Sequence, residues 1–449
     1  MNANLKELEG SIVAPKGFKA SGVFCDIKRL GTGKGSEKGQ KNDLALIVSE
    51  KPCSVAGMFT TNKVCAAPVK LCIERIKEGI AQAIVANSGN ANACTGEQGL
   101  KDACTMAEET AALLGLKKEH VLVASTGRIG VLMPMDNIKK GIKMASEQLS
   151  NSVSSADSAA TAIMTSDTRP KKIAVQVNVD GSTITIGGIC KGAGMIQPGM
   201  SPNGKNPPSM PGRLHATMLC FLTTDALIER ESLQFALQEA VARSFNKITV
   251  DGDMSTNDTV LILANGMADN NPLNHKTRSK DGRSAFNAFY QALEHVCLSL
   301  AKMIVMDGEG VTKFVTIYVD GAKNDLHADA AARAVANSIL VKTSWCGGDP
   351  NWGRIMDALG YSKAEIVEEK VDIGYSNPSN PQITWAVKNG SPLPVPFDEL
   401  CKIVGKKEFN IHINLNLGKG KTYFYSSDLT EEYVDFNKGN ISDPNSLGG

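Results

Sequence analysis

Two segments of small polar residues follow apolar runs of the sequence, and they are the first candidates for chemistry. These segments are Asn87–Gly96 (NSGNANACTG) and Ala124–Gly130 (ASTGRIG). Small residues at a strand end let the backbone approach a ligand and offer amide donors. In the second segment, Thr126 and Gly127 can direct a hydroxyl and a backbone N–H at one point, as an oxyanion hole requires. The alternative for both segments is an ordinary turn after a strand.

The sequence has no GxSxG motif to supply an activated serine, so a nucleophile must be sought elsewhere. Cys190–Ile196 (CKGAGMI) places Lys191 between an apolar run and three small residues, which indicates a lysine held close to the backbone. Thr217 follows the Pro-rich stretch Gln197–Arg213 and begins another apolar run. A threonine at a chain terminus can use its own α-amino group as base, since that amine titrates near about 7.7–8.0. That state requires a cut before Thr217; otherwise this residue is simply the start of a strand.

Two segments rich in carboxylates complete the candidate chemistry. Asp251–Thr259 (DGDMSTNDT) holds three acids among hydroxyls and an amide, but it lacks the glycine and glutamate spacing of an EF-hand calcium loop. Asp307–Phe314 (DGEGVTKF) places Glu309 between two glycines at the end of a long predicted helix. Such a carboxylate can bind a substrate ammonium group, or it can be a solvated helix end.

Composition excludes several classes of function. The 449 residues carry 48 Lys and Arg against 47 Asp and Glu, a net charge of +1, so no global field attracts nucleic acid or an anionic membrane. The 11 cysteines form no CxxC motif and the six histidines are isolated, so no metal site is predicted. Scattered unpaired thiols, the absence of a long apolar run and an N-terminus unlike a signal peptide predict a cytoplasmic protein.

Short apolar runs alternate with amphipathic stretches, which favours an α+β layered fold over a simple doubly wound sheet. The predicted strands are Asp43–Ser49, Gln82–Ala86, His120–Ser125, Lys172–Val179, Thr183–Cys190, Thr217–Thr223, Thr259–Ala264 and Lys313–Asp320. The predicted helices are Gly99–Gly115, Met135–Leu149, Ser232–Arg243, Arg283–Met306 and Ala328–Leu340. Asp180-Gly181 predicts a hairpin turn, and the prolines of Gln197–Arg213 predict a long surface loop.

Eight motifs occur in the order NSGNANACTG, ASTGRIG, CKGAGMI, HATML, DGDMSTNDT, DGEGVTKF, GGDPNWGRIMDALGYS and DLTEEYV. Together they resemble the glutamate N-acetyltransferase/ornithine acetyltransferase family of arginine biosynthesis. The resemblance runs from about Ala14 to Asn437, nearly the whole chain. It implies a layered α/β sandwich related to the DmpA aminopeptidases, with a smaller C-terminal α/β lobe.

The same resemblance implies a role for individual residues. Thr217 would be the nucleophile, exposed by self-cleavage of the Ala216–Thr217 bond into an α chain (1–216) and a β chain (217–449). Thr126 and Gly127 would form the oxyanion hole. Substrate contacts are implied for Thr165, Lys191, Thr217, Glu309, Asn437 and Ser442.

The reaction that the resemblance implies is a ping-pong acetyl transfer. N2-acetyl-L-ornithine would acetylate the Thr217 hydroxyl and leave as L-ornithine, and L-glutamate would then take the acetyl group as N-acetyl-L-glutamate. A Lys191 donor and a Glu309 acceptor suit substrates that carry both a carboxylate and an ammonium group. No metal or cofactor is implied, although some members use acetyl-CoA as a co-substrate. The usual assembly is an α2β2 heterotetramer, without nucleic acid or membrane partners.

The chain departs from the family pattern at several places. Gln197–Arg213 lengthens the stretch before the cleavage site, His215 stands where Met is common, Ser166 replaces a common Thr, and the tail around Ser442 differs from the usual ending. Cleavage is still expected because the Ala216–Thr217 pair and the oxyanion pair are intact. Two alternatives are an aminopeptidase or amidase that uses the same threonine with water as acceptor, and an inactive paralogue retained for binding or assembly.

Overall fold

The computed structural model describes residues 5–28, 41–205 and 218–438. Ala216, Thr217 and Ser442 lie outside the described residues, as does the Pro-rich stretch from residue 206 onward. The chain divides into two compact units. The first contains residues up to Asn246 and Asp253–Ile304, and the second contains Lys247–Gly252 and Val305–Asn437.

Ten of the described strands form one mixed sheet in the first unit. They are β1 (Lys6–Glu7), β2 (Phe18–Val23), β3 (Leu44–Thr60), β4 (Ile80–Asn90), β5 (Val121–Arg128), β6 (Lys171–Val179), β7 (Ser182–Lys191), β8 (Met200–Ser201), β9 (Leu219–Thr224) and β10 (Thr259–Ala264). The helices along this part of the chain are α1 (Ala67–Arg75), α2 (Gly96–Leu114), α3 (Met135–Glu147), α4 (Val153–Ala162), α5 (Arg230–Ala242) and α6 (Lys280–Met306).

The strand order of this sheet is β1-β6-β7-β9-β10-β3-β4-β5, and β2 and β8 pair with β3 outside that path. The β9–β10 and β4–β5 pairs are parallel, and the other pairs in the sheet are antiparallel. Every residue of β9 and β10 is buried, which explains why both read as continuous apolar runs without alternation. The last described strand before position 217, β8, and the first strand after it, β9, belong to this one sheet.

Helices cover both faces of the sheet. Along β3, Ala45 and Ile47 belong to one apolar cluster with residues of α1 and α4, whereas Leu44 and Leu46 belong to a second cluster with residues of α2 and α3. Successive side chains of a strand point to opposite faces, so the two clusters lie on opposite sides of the sheet. The sheet is therefore packed between two layers of helices, and these layers hold the strands whose ends carry the small polar residues.

The second unit has its own six-stranded sheet, of order β14-β13-β12-β15-β11-β16. Its strands are β11 (Phe314–Ala322), β12 (Asp372–Asn377), β13 (Asn380–Lys388), β14 (Ser391–Pro392), β15 (Glu408–Asn414) and β16 (Gly420–Ser427). Its helices are α7 (Asp325–Asn337), α8 (Ile339–Cys346), α9 (Trp352–Gly360), α10 (Phe397–Val404) and α11 (Glu431–Asn437). Apolar residues of β11 and alanines of α7 share one core. The predicted α+β class and the smaller C-terminal lobe are confirmed.

The structure differs from the sequence predictions at several boundaries. Thr126 and Gly127 lie within β5, not in a turn after it, because they pair with Ser88 and Gly89 of β4. Met200 and its neighbour form the short strand β8 and are buried, so this part of the Pro-rich stretch is not a surface loop. The helices α1 and α4 were not predicted. Across the described residues, none of the helices combines the length and apolar character that a membrane span requires.

Candidate active site

The ends of three neighbouring strands meet at one edge of the first sheet. Lys191 is the last residue of β7 and pairs with Leu219, the first residue of β9, while Thr259 at the start of β10 pairs with Leu219 from the other side. β7 runs antiparallel to β9 and β10 runs parallel to it, so the end of β7 lies beside the starts of β9 and β10. Thr217 stands two positions before Leu219 in the sequence.

Met218, the residue after Thr217, is held by the start of β10. Its amide donates to Oδ1 of Asp258 at 2.5 Å, and its carbonyl accepts from the amide of Thr259 at 3.1 Å. Met218 and Asp258 are both fully buried. The sequence analysis singled out the motif that contains Asp258 but gave this residue no role, because nothing local shows that a residue 40 positions away is its partner.

Thr126 and Gly127 lie near the end of β5, and Thr126 is buried. The Nζ of Lys191 donates to Oγ1 of Thr126 at 3.3 Å, so the structure brings together the predicted oxyanion residue and the predicted lysine. Lysine offers only donors, so Thr126 must accept in this contact and its own hydroxyl proton remains to donate elsewhere. A hydroxyl that donates is what a developing oxyanion needs.

A buried amide fixes the loop before β10 to the strands that carry the oxyanion pair. Nδ2 of Asn257 donates to the carbonyls of Ala91 and Ser125, each at 2.7 Å. Ser125 directly precedes Thr126, and its hydroxyl also donates to Oδ1 of Asn87 at 2.6 Å. Asn257 therefore links the segment beside Met218 to the segment beside Thr126. The sequence analysis missed this residue as well.

Gly127 occupies a position where only glycine fits. Its φ is 130°, and a Cβ built on it would lie 2.3 Å from the carbonyl carbon of Gly89. Left-handed backbone of this kind is costly for other residues, and here the neighbouring strand also blocks a side chain. The two strands therefore approach each other closely at Gly127.

Gly127→Ala is expected to lower the free energy of unfolding by more than the ~1–3 kcal/mol that unfavourable φ alone costs. Gly130→Ala is the matched control, because Gly130 has a φ of 80° but open space around its Cβ position. Urea titration of both variants measures the difference. Equal losses of unfolding free energy in the two variants would show that the close approach of β5 to β4 does not restrict the side chain at position 127.

The carboxylate of Asp167 binds backbone amides from two of the predicted substrate-binding segments, the one at Thr165 and the one at Lys191. Oδ2 accepts from the amide of Thr165 at 3.0 Å, while Oδ1 accepts from Nζ of Lys171 at 2.6 Å and from the amide of Gly192 at 2.7 Å. Burial alone would raise the pKa of Asp167, but the charges of Lys171 and Lys191 and the Gly192 amide outweigh it and lower the pKa to about 2. Thr165 and the residue after Lys191 thus share one buried anion.

Asp167→Asn is expected to destabilise the protein in a pH-dependent way. Because the pKa of Asp167 is lower in the folded state, its contribution to stability is complete above about pH 4 and is lost as the pH falls through about 2. The difference in unfolding free energy between wild type and variant should therefore be constant near neutrality and shrink between those values.

The matched control for this prediction is Asp157→Asn, because Asp157 forms an exposed ion pair with Lys172. Exposed pairs contribute about 0–1 kcal/mol, so this variant should differ little from wild type at any pH. Unfolding midpoints measured from pH 2 to pH 8 test both. Equal behaviour of the two variants would contradict the role assigned to the buried carboxylate.

Glu309 and Asn437 come together in the second unit. Nδ2 of Asn437 donates to Oε2 of Glu309 at 2.9 Å. The loop that carries Glu309 is fixed on its other side by buried Asp428, which accepts from the amides of Thr312 and Lys313 at 2.9 Å each. Glu309 is partly exposed and Asn437 is exposed, so both polar groups remain open to a ligand.

The predicted site residues thus form two groups. Thr126, Gly127, Lys191 and Thr165 are linked in the first unit, and Glu309 pairs with Asn437 in the second. Within residues 5–28, 41–205 and 218–438, no group of three or more His, Cys, Asp or Glu side chains is arranged to hold a metal ion.

Comparison with known proteins identifies the family. The model of the ArgJ family matches residues 20–440 of this chain. The chain belongs to the ArgJ family. A family member from Caldanaerobacter subterraneus subsp. tengcongensis, named arginine biosynthesis bifunctional protein ArgJ, is 46% identical over 432 residues, which is 96% of this chain and 98% of that protein.

A second relative comes from Methanocaldococcus jannaschii and is named glutamate N-acetyltransferase. It is 45% identical over 438 residues, which is 96% of this chain and 99% of that protein. Among solved structures, the ornithine acetyltransferase of Mycobacterium tuberculosis, crystallised with ornithine, is 37% identical. That match covers 44% of this chain and 100% of the crystallised chain, with a TM-score of 0.40. Membership of the ArgJ family rests on the family model and on the two full-length sequence relatives.

Proposed function

We propose that this chain transfers the acetyl group of N2-acetyl-L-ornithine to L-glutamate, through an acetyl ester on Thr217, in arginine biosynthesis. The observation that carries the proposal is that Lys191 pairs with Leu219, two residues after Thr217, and donates through Nζ to Thr126 of the predicted oxyanion pair. Membership of the ArgJ family and the name glutamate N-acetyltransferase of one relative support L-glutamate as the acetyl acceptor, and N2-acetyl-L-ornithine is the donor that the family resemblance implies.

In the first half-reaction, the freed amine of Thr217 takes the proton from its own Oγ as Oγ attacks the acetyl carbonyl of N2-acetyl-L-ornithine. The carbonyl oxygen becomes an oxyanion, which accepts hydrogen bonds from the Gly127 N–H and the Thr126 hydroxyl. Because Lys191 donates to Thr126 Oγ1, the Thr126 proton faces away from the lysine. The intermediate collapses when the bond to the ornithine nitrogen breaks, and the Thr217 ammonium returns its proton to that nitrogen.

In the second half-reaction, the amine of L-glutamate attacks the acetyl ester, and the same oxyanion donors act again. The attacking nitrogen gives a proton to the Thr217 amine, which passes it to Oγ as the bond to Oγ breaks, and N-acetyl-L-glutamate leaves. Lys191 suits a substrate carboxylate, and Glu309 with Asn437 suits an ammonium group. Thr165 is held beside the Lys191 segment through Asp167, which supports its assignment to substrate binding. Ser442 completes this proposed set.

The proposal includes processing and assembly. Self-cleavage between Ala216 and Thr217 gives an α chain and a β chain, which assemble as an α2β2 heterotetramer in the cytoplasm. The reaction uses no metal or other cofactor, because the residues named here account for every proton transfer. Small amino acids and their acetyl derivatives are the substrates, and no nucleic acid or membrane takes part.

The decisive experiment is incubation of purified protein with N2-acetyl-L-ornithine, with and without L-glutamate. Formation of N-acetyl-L-glutamate and L-ornithine in equal amounts is expected only when both substrates are present. Free acetate without N-acetyl-L-glutamate would instead establish the aminopeptidase or amidase alternative. A single uncut band on a denaturing gel, together with no activity, would establish the inactive paralogue.

Acetyl-CoA is a second candidate donor, because some names of ArgJ relatives contain the word bifunctional and the M. jannaschii name does not. Replacing acetylornithine by acetyl-CoA in the same assay separates the two types. Acetylation of L-glutamate from acetyl-CoA would make this chain bifunctional, whereas activity with acetylornithine alone would place it with the single-function enzymes.

A further inference from the structure

Asn257 is a buried amide that donates both of its side-chain protons to backbone carbonyls of the first unit. Its Nδ2 donates to Ala91 and to Ser125, each at 2.7 Å, and its Oδ1 accepts from the hydroxyl of Thr256 at 2.5 Å. Only the nitrogen end of an amide can face two carbonyl oxygens, so these contacts define the orientation of the side chain. Asn257 is 2% exposed, which leaves water little access to replace these bonds.

The two carbonyls are connected to both sides of the predicted oxyanion pair, Thr126 and Gly127. Ser125 directly precedes Thr126, so its carbonyl belongs to the peptide group that ends at the Thr126 nitrogen. Ala91 donates through its own amide to the carbonyl of Arg128 at 2.9 Å, and Arg128 directly follows Gly127. The buried amide therefore holds the residue before the pair directly and the residue after it through Ala91.

Separate groups hold the side chain and the backbone of Thr126. Lys191 donates to Oγ1 and so restrains the hydroxyl. The preceding residue, Ser125, is bonded at its carbonyl by Asn257, and its hydroxyl donates to Oδ1 of Asn87. Oxyanion donors are effective when they are fixed before the reaction, because they then need no reorganisation as charge develops. A displacement of this segment would therefore slow the reaction even with both donors present.

We propose that Asn257 is a positioning residue of the oxyanion hole: it holds the backbone from Ser125 to Arg128 in the conformation in which Thr126 and Gly127 act as donors. This inference rests on the proposed function, from which it takes the oxyanion pair. The side chain of Asn257 does not itself donate to the oxyanion, since both of its protons are used by carbonyls. Its removal takes a donor from each of two buried carbonyls and lets the segment shift.

The test is the kinetics of acetyl transfer by Asn257→Ala, with Asn270→Ala as matched control. Asn270 is also a buried amide that donates to two carbonyls, those of Leu227 at 3.1 Å and Asn271 at 2.6 Å. It lies beyond the opposite ends of β9 and β10, away from the oxyanion pair. The control therefore removes the same group, with the same number of donated bonds, from a distant place in the same sheet.

Asn257→Ala should lower kcat by about tenfold to 10²-fold, less than the removal of an oxyanion donor itself. The KM for N2-acetyl-L-ornithine should stay within about twofold of the wild-type value, because a positioning residue does not bind the substrate. Asn270→Ala should leave both constants unchanged. Unfolding midpoints of the two variants should fall to a similar extent, so a difference in kcat is not explained by stability.

A double-mutant cycle with Thr126→Val separates positioning from a general loss of active enzyme. If Asn257 acts through Thr126, the double variant should be at least about fivefold faster than the product of the two single losses predicts. A smaller fraction of active enzyme would instead multiply with the Thr126→Val effect. Combining Thr126→Val with Asn270→Ala should give such a simple product.

Asn257→Ser keeps one hydroxyl donor and should lose less kcat than Asn257→Ala, so it serves as the second variant. A folded Asn257→Ala variant that stays uncut beside a cut Asn270→Ala would show the same effect at the self-cleavage step. Wild-type kcat in Asn257→Ala, multiplicative losses in its cycle with Thr126→Val, or failure of both Asn257 variants to fold would each overturn the inference. Failure of wild type to transfer acetyl groups would instead overturn the proposed function.

Discussion

Thr217→Ala is expected to run as one uncut band on a denaturing gel and to lose acetyl transfer by at least about 10⁴-fold, since removal of a nucleophile has effects of that size or larger. The variant lacks the Oγ that attacks the Ala216 carbonyl during self-cleavage and the acetyl carbonyl during catalysis. Both losses therefore have one cause. Wild type should give two bands, and N-terminal sequencing of the β chain should read Thr-Met-Leu.

Thr217→Ser is the companion variant, because serine keeps the hydroxyl and the following amine. It should restore cleavage and part of the activity. Two bands from Thr217→Ala, or a β chain that begins at another residue, would contradict the assignment of Thr217. Folding of the uncut variant can be checked by its unfolding midpoint, so a loss of activity is not confused with a loss of structure.

Thr126→Val is expected to lower kcat by about 10²–10³-fold, the usual effect of removing one oxyanion donor. Valine has nearly the shape of threonine but cannot donate to the oxyanion. It also cannot accept from Nζ of Lys191, so the lysine loses a buried partner. We therefore expect a smaller rise in KM beside the large fall in kcat, together with slower self-cleavage.

Thr110→Val is the matched control, since Thr110 is a buried threonine on α2 whose hydroxyl donates to Met106 of its own helix at 2.7 Å. It removes the same hydroxyl from the same kind of environment, away from the strand ends. Its kcat should equal that of wild type. A Thr126→Val enzyme with unchanged kcat would leave Gly127 as the sole assigned donor and would remove Thr126 from the mechanism.

Local signals in the sequence predicted part of the fold correctly. The Thr259–Ala264 strand was predicted to the residue, and Asp180-Gly181 does form a hairpin turn, with φ of 50° and 85° as such turns require. The extent of β5 was not predicted, because Thr126 and Gly127 are held in the strand by pairing with β4. The long β3 was also underestimated, since its second half is defined by pairing with β10.

In the candidate site too, residues in short local motifs were predicted, whereas residues that act on distant segments were missed. Thr126, Gly127 and Lys191 follow from short motifs, and the structure brings Thr126 and Lys191 into contact. Asp167 and Asp258 were missed because each acts on amides of segments remote in sequence, 25 residues away for Gly192 and 40 for Met218. Pairings of this kind depend on the completed sheet and leave no local pattern. Asn437 was assigned to the site through family resemblance alone, and its partner Glu309 is 128 residues away.

The position of β9 between β7 and β10 has a consequence for the two polypeptides that processing would create. β9 shares one ladder with β7 from the α chain, and β10 shares another with β3 from the same chain. Peptide bond scission at this point would remove a covalent link without creating a separable subunit, because the hydrogen bonds of a central strand hold both fragments. Dissociation would require global denaturation, so the two pieces should co-elute from a sizing column at every concentration at which the fold survives.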